Sequence, residues 1–458
     1  MVPIFLVIKD INLAVNVILT FASILNVLTA FLIFKFTKKL FDEKIAIVST
    51  ALYALNPLII FQILDGIDVA MYTFLLMLTL FYYYLIKDKL NKKNVIMLGI
   101  LSGLTVLGRM DAVFLLIAIN LHILYKTRNK TGLKNSIITT LVAILIVSPW
   151  FLWSYLKFGT IVQSSGIAKY SMAHGIFPFF DIEPKSILDV SMISENLIRT
   201  FGSIFHQLGI IDFSINPLTI LLLLLIVMPL IYSFKIIRTL KVNITYALLL
   251  FSFYNFYLWG IQIRHFTPVL PTLVIMISYG LYSLTRKIRR GDLIFSIIVV
   301  MLLVILFFNG YKQWESGYYN WQGEMYENSI WVKENTNPSD VIGSFNTGMQ
   351  IYFTDRTVIN LDGVLNFDAI EAIKNKSVIK YMKEKNVTYW VDIVFFNETV
   401  YENYKNGLKI DILKDNPWKD VLGEGKENLI LIEQKEKVYR HIRGFDILVV
   451  FFKAKLLN

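Results

Sequence analysis

Ten stretches of nearly unbroken apolar residues run through the first two thirds of the chain, at 11–34, 45–63, 68–86, 94–108, 110–125, 136–156, 217–234, 244–260, 266–285 and 293–309. They predict about ten membrane-spanning helices, because crossing a hydrocarbon core takes about 20 apolar residues. The two shortest, 94–108 and 110–125, need neighbouring helices or local thinning of the bilayer. After residue 310 the apolar runs shorten and charges of both signs become dense. There, 341–345, 357–361, 387–394 and 446–452 read as strands, and 326–336 and 368–385 as helices. The expected fold is a polytopic α-helical membrane domain over 1–310, followed by an α/β domain over 311–458.

The polar positions between the apolar segments are not random. Five clusters, Lys35/Lys38/Lys39/Lys44, Lys87/Lys89/Lys92/Lys93, Lys126/Arg128/Lys130/Lys134, Lys235/Arg238/Lys241 and Arg286/Lys287/Arg289/Arg290, all fall in connections on one side of the serial spans. Positive charge in short loops is retained in the cytoplasm, so the other connections, the 60-residue stretch 157–216 and everything after 310 are expected outside the cell membrane. Sidedness also puts the start of the chain outside, with only ten residues before the first span. One more helix upstream would make the topology ordinary, so the chain is expected to be a shortened version of its family.

Composition narrows the function. The chain is 55% apolar and only 17% charged, which suits a polytopic membrane protein. Its net charge of +11 invites a nucleic-acid reading. However, residues 1–310 hold 26 Lys and Arg against 13 Asp and Glu, and residues 311–458 hold 19 against 21. Nineteen of those 26 lie in the five clusters, so the excess sets topology and no nucleic-acid partner is expected. No cysteine is present, and five histidines without metalloprotease spacing predict neither a metal site nor another cofactor.

Few ionisable residues fall in the connections expected outside. Asp65 and Asp68 lie between the second and third spans, Arg109 and Asp111 between the fourth and fifth, and Arg264 and His265 at the entry to the ninth. Lys169 lies in the long external stretch. Each has a bland reading: a helix cap for Asp68, a hairpin ion pair for Arg109 with Asp111, snorkelling for Arg264 and His265, and surface charge for Lys169. Taken together they offer cations suited to a phosphate or diphosphate and a carboxylate suited to deprotonating a hydroxyl.

The order of motifs resembles the GT-C fold glycosyltransferases, the broad group of protein O-mannosyltransferases and the lipid A aminoarabinose transferase. Gly66-Ile-Asp-Val-Ala is similar to a Gly-Met-Glu-Thr-Ala segment of that group, and Gly99-Ile-Leu-Ser-Gly-Leu-Thr-Val-Leu-Gly-Arg-Met-Asp to its Gly-Leu-x-x-Gly-Leu-x-x-Leu-Thr-Arg-Pro-Asp segment. Pro149-Trp, then Phe158-Gly and Ala168-Lys, and Arg264-His-Phe-Thr-Pro-Val-Leu-Pro also have counterparts, as do Trp331-Val-Lys-Glu-Asn-Thr and Val358-Ile-Asn-Leu-Asp-Gly-Val-Leu-Asn beyond the spans. The resemblance implies an enzyme that moves a sugar from a polyprenyl-phosphate-linked donor to an extracytoplasmic glycan, lipid or protein acceptor, among membrane lipids. It implies Asp68 as a catalytic contributor and Arg109, Asp111, Lys169, Arg264 and His265 as substrate-binding residues. The group's usual catalytic acid sits in a first external loop that this chain is expected to lack. Two other readings compete. A transporter or lipid flippase needs polar residues along mid-span paths, which these spans nearly lack. An inactive anchor for the α/β domain fits the missing first loop.

Overall fold

The computed structural model describes residues 10–64, 68–173, 190–208, 217–257, 263–316, 321–396, 398–407, 409–415, 418–440 and 446–457, with positions 4, 7 and 8. The chain divides into two compact units, Met1–Tyr155 with Glu195–Asn255 and Ile261–Glu315, and Leu156–Ser194 with Phe256–Gly260 and Ser316–Asn458. The last division between the units falls near residue 315. In addition, the segment after Tyr155 belongs to the second unit.

Among the described residues, all ten apolar stretches carry helix. The helices are α1 (Ile11–Leu40), α2 (Glu43–Ala54), α3 (Pro57–Leu64), α4 (Val69–Ile86), α5 (Lys92–Gly108), α6 (Val113–Thr127) and α7 (Lys130–Phe158). The long connection carries α8 (Ser164–Ala173) and α9 (Val190–Gln207), and α10 (Pro217–Tyr232), α11 (Lys241–Tyr257), α12 (Leu270–Thr285) and α13 (Gly291–Ser316) follow. Among the described residues, six helices are long and apolar enough to cross a membrane, and the pair α2–α3, bent by 48°, passes the same test when its two helices are taken together. The protein is a multi-pass membrane protein. Helices α5, α10 and α11 are shorter, at about 24–26 Å by the rise of an α-helix.

The bend within the expected 45–63 span has a local cause. Pro57 cannot donate a backbone hydrogen bond, and the Asn56 carboxamide instead caps Leu58 N at 3.0 Å and Ile59 N at 3.4 Å. Asp10 similarly caps α1, accepting from Leu13 N at 2.7 Å. The glycines of the Gly99–Gly103 repeat let α5 press on α7: a Cβ at either would meet Val142 or Ile146 Cβ at 2.7 Å. Helix α12 is the central strut, with 72% of its span buried, against 22% for α7 and for α13.

The basic clusters come together at one end of these helices. Lys126 at the end of α6 donates to Lys87 O at the end of α4 at 2.7 Å and pairs with Asp88. Lys44 meets Asp292 at 2.8 Å, and Lys241 lies 4.6 Å from the Tyr125 ring.

The second unit is built on a five-stranded sheet in the order β2-β1-β3-β5-β4. Helix α14 (Gln322–Asn335) precedes β1 (Val341–Ser344), then come α15 (Thr347–Phe353), β2 (Thr357–Asn360), α16 (Phe367–Lys374), α17 (Val378–Glu384), β3 (Val387–Phe396), α18 (Glu398–Lys405), β4 (Leu429–Arg440) and β5 (Asp446–Leu456). Strands β2, β1 and β3 are parallel, and β5 and β4 add antiparallel. The four expected strands are present. The expected 368–385 helix is two, because Lys376 turns left-handed (φ 50°) and Ser377 N closes on Ala372 O at 2.8 Å. Strand β4 escapes the sequence pattern because Glu433, Lys435 and Lys437 alternate with Gln434 and Glu436 along an edge, so neither face reads as apolar.

Candidate functional site

At the end of the helices opposite the basic clusters, ionisable residues from three segments come together. Arg109 ends α5 in extended conformation, its N–H bonding Thr105 O at 3.1 Å, and a 3-10 turn, Met110–Ala112, leads straight into α6. That tight hairpin sets Arg109 and Asp111 two residues apart at the same end. Asp68 stands at the start of α4, and a second short turn, Ile263–His265, delivers Arg264 and His265 to the start of α12. Helix α4 is 18 residues, so about 27 Å separate this site from the Lys87 end.

Arg109 is the hub. Nη2 lies 2.9 Å from Asp111 Oδ2 and donates to Tyr254 Oη at 2.9 Å, while Nη1 donates to the Arg264 carbonyl at 3.1 Å. Its Nε lies 3.7 Å from Asp68 Oδ2, and the guanidinium carbon sits 5.2 Å from the centre of the Tyr72 ring. Tyr254 in turn donates to Asp111 Oδ2 at 2.6 Å and stacks on the buried His265 ring at 4.4 Å, nearly parallel at 8°. Tyr72 Oη and Tyr246 Oη share a hydrogen bond at 2.7 Å. Thr267 donates to Gln62 Oε1 at 2.6 Å, tying α3 to the start of α12.

The cluster is not internally closed. Asp111 Oδ1 and Gln62 Nε2 are buried, and neither has a hydrogen-bond partner among the described residues. Asp68 is the exposed member, with 42% of its side chain accessible against 12% for Arg109 and 7% for Asp111. The helix-cap reading of Asp68 does not describe its side chain, which bonds no amide of the first turn. The hairpin ion-pair reading of Arg109 and Asp111 is correct as far as it goes. It misses that the same guanidinium also holds α11 and the approach to α12. Arg264 is half-buried, with its carbonyl fixed by Arg109.

Five of the six residues expected at the site therefore converge. Lys169 lies on α8, in the second unit, and its side chain is outside the described residues, as is the whole of Asp65. Sequence reasoning did not single out Tyr72, Tyr246, Tyr254 and Gln62, which complete the cluster. Their only signal was a hydroxyl or amide inside an apolar span, diluted by 24 tyrosines in the chain. Among the described residues, no group of three or more His, Asp or Glu side chains is gathered as a metal site would need.

Residues 6–153 match the family model described as dolichyl-phosphate-mannose-protein mannosyltransferase, and residues 312–444 match a domain model of unknown function. No curated protein matches the sequence. Among solved structures, ArnT from Cupriavidus metallidurans in the apo state is 9% identical, with a TM-score of 0.50 over 94% of this chain and 82% of that one. The same protein bound to undecaprenyl phosphate gives a TM-score of 0.49 at 9% identity, covering 96% and 84% of the two chains. The oligosaccharyltransferase of Archaeoglobus fulgidus, in complex with Zn and sulfate, gives 0.48 at 14% identity. This chain spans only 56% of its length, although 82% of this chain is covered. In architecture, the protein has the fold of the GT-C membrane glycosyltransferases.

Proposed function

We propose that the protein is a membrane glycosyltransferase that moves a sugar from a polyprenyl-phosphate donor to an extracytoplasmic acceptor, with Asp68 and Arg264 as the residues that touch the reacting groups. The observation that carries this reading is the convergence of Asp68, Arg109, Asp111, Arg264 and His265 at one end of the bundle, with the Asp68 carboxylate exposed beside a fixed guanidinium. The family model matched over 6–153, named for a dolichyl-phosphate-linked mannose donor, supports the same class of carrier. Positive charge gathered at the far end of the helices supports an extracytoplasmic position for this end.

The chemistry follows from the parts. The acceptor oxygen attacks the anomeric carbon on the face opposite the phosphate, with inversion, while Asp68 takes the hydroxyl proton. The bond between that carbon and the phosphate oxygen breaks, and Arg264 balances the charge left on the polyprenyl phosphate. Arg109 gives Nη1 to the Arg264 carbonyl and Nη2 to Tyr254 and Asp111, so it acts as a positioning residue: it fixes the Arg264 backbone and sits beside Asp68. Asp111 and Tyr254 fix Arg109 in turn, and His265 stacks on Tyr254.

The test is sugar transfer from a radiolabelled polyprenyl-phosphate hexose by purified protein in lipid nanodiscs. Asp68→Asn is expected to lower turnover about 100-fold or more, the usual contribution of a general base, with the melting temperature unchanged. Wild-type turnover by Asp68→Asn would remove it from the reaction.

A further inference from the structure

The sheet unit contains a polar cleft where packing rules call for an apolar seam. Helix α14 lies over the face of the sheet that β3 and β5 present with Ile393, Val449 and Phe451, packed against Trp321 and Met325. One turn further along the helix the seam changes character. Glu324, Glu327, Asn328 and Trp331, spaced as one helical face, look onto Glu433, Lys435 and Lys453 across a cavity of about 220 Å³. At about 30 Å³ per water, that is the volume of roughly seven waters, enough for one hexose-sized ring.

The cavity is kept polar at a cost. Strand β5 lies between β3 and β4, so Lys453 is in the middle of the sheet, with only 8% of its side chain exposed. Its ammonium pairs with Glu433 and lies 4.6 Å from the centre of the Trp331 ring. Glu324 has 10% of its side chain exposed and is held by Lys435 at 2.6 Å and by Lys437. Lys435 also reaches Glu327, at 3.6 Å. Glu324 and Lys453 are the enclosed members, while their partners Lys435, Lys437 and Glu433 are about half exposed; apolar side chains at these two positions would fill the seam as well or better, so stability does not explain the two enclosed charges. A register shift between Leu431 and Glu433 brings Glu433 opposite Lys453, the kind of local irregularity that re-aims a side chain.

We propose that this cleft binds a saccharide, one hexose-sized ring at a time. Three carboxylates and two ammoniums around one small space make neither an anion site nor a cation site. A ligand whose groups both donate and accept answers all of them, and vicinal hydroxyls do so. Trp331 lines the cleft as its aromatic wall, with the Lys453 ammonium over one face of its ring, so an apolar surface and a donor stand together for the sugar. The site goes beyond the transferase reading and does not depend on it.

Saturation-transfer NMR on the full chain, in a detergent without a sugar headgroup, tests this with methyl glycosides of glucose, mannose, galactose and N-acetylglucosamine as probes. At least one is expected to bind, and Trp331→Ala and Glu433→Gln are each expected to weaken it about tenfold or more. Glu433→Gln removes a half-exposed charge, so it keeps the test valid if Trp331→Ala fails to fold. Arg264→Ala is expected to leave the signal intact, separating this cleft from the membrane site. The proposal is overturned if none of the four sugars binds, if binding survives in the folded variants with unchanged affinity, or if Arg264→Ala abolishes it.

Discussion

Asp111 in the membrane unit and Asp392 in the sheet unit are both enclosed carboxylates, but they are held by different chemistry. Asp111 is neutralised by a cation, Arg109, and one of its oxygens has no partner among the described residues. Asp392 sits in the middle of β3, where Oδ2 accepts from Phe345 N at 2.5 Å and Trp390 Nε1 at 3.0 Å. Its Oδ1 takes Ile393 N at 2.9 Å, Asn346 Nδ2 at 3.1 Å and Asn346 N at 3.2 Å. These five donors use up the acceptor capacity of the carboxylate and pin the loop after β1 to β3. Burial still raises the Asp392 pKa above its ordinary value, with the donors opposing that shift. A buried carboxylate that is fully satisfied is scaffolding. One that keeps an open acceptor oxygen beside an exposed partner, as Asp111 does beside Asp68, belongs to a site that expects a visitor.

The most severe way to break the contrast is Arg109→Met. It leaves Asp111 enclosed without its counter-charge and unties α11 from the approach to α12. A loss of about 3–5 kcal/mol is expected, read as a lower melting temperature of the detergent-solubilised protein. Asp392→Asn should cost about 3 kcal/mol in the sheet unit, because the amide nitrogen must face N–H groups that then go unpaired. Hydrogen exchange would show this as faster exchange in β1 and β3, with the helices unchanged. If both substitutions cost the same and act on the same segments, the contrast between them fails.

A smaller effect sharpens the comparison through pH. Asp362, in the loop after β2, is pushed up to about 6 by burial, while Val364 N donates to it at 2.8 Å. A folded-state pKa above the unfolded value means that the fold favours the protonated form. The contribution is therefore intact below about pH 4 and is lost as pH rises through 6. The sheet unit should be about 1–2 kcal/mol more stable at pH 5 than at pH 7, measured by hydrogen exchange, and Asp362→Asn should flatten that slope.

The helical architecture was legible because apolar runs and basic clusters are properties of the chain itself, and the clusters do gather at one end of the bundle. The convergence of five of the six residues expected at the site was legible for a related reason: a charge beside an apolar span is rare enough to stand out. Tyr254 and Tyr246 were not, since what distinguishes them is a partner 143 or 174 residues away in the chain, which no local pattern records. The break at Asn56 was hidden inside a continuous apolar run, where a single Asn-Pro pair outweighs the hydropathy around it. Strand β4 was hidden because it is an edge whose two faces both carry charge.

The central claim is that the converged end of the bundle holds a lipid-linked phosphate, and binding of a labelled polyprenyl phosphate to wild type and Arg264→Ala in nanodiscs tests it most directly. The account predicts that the variant folds normally and binds at least about tenfold more weakly, the loss of a charge-assisted contact to phosphate. Equal affinity in the two proteins would contradict it.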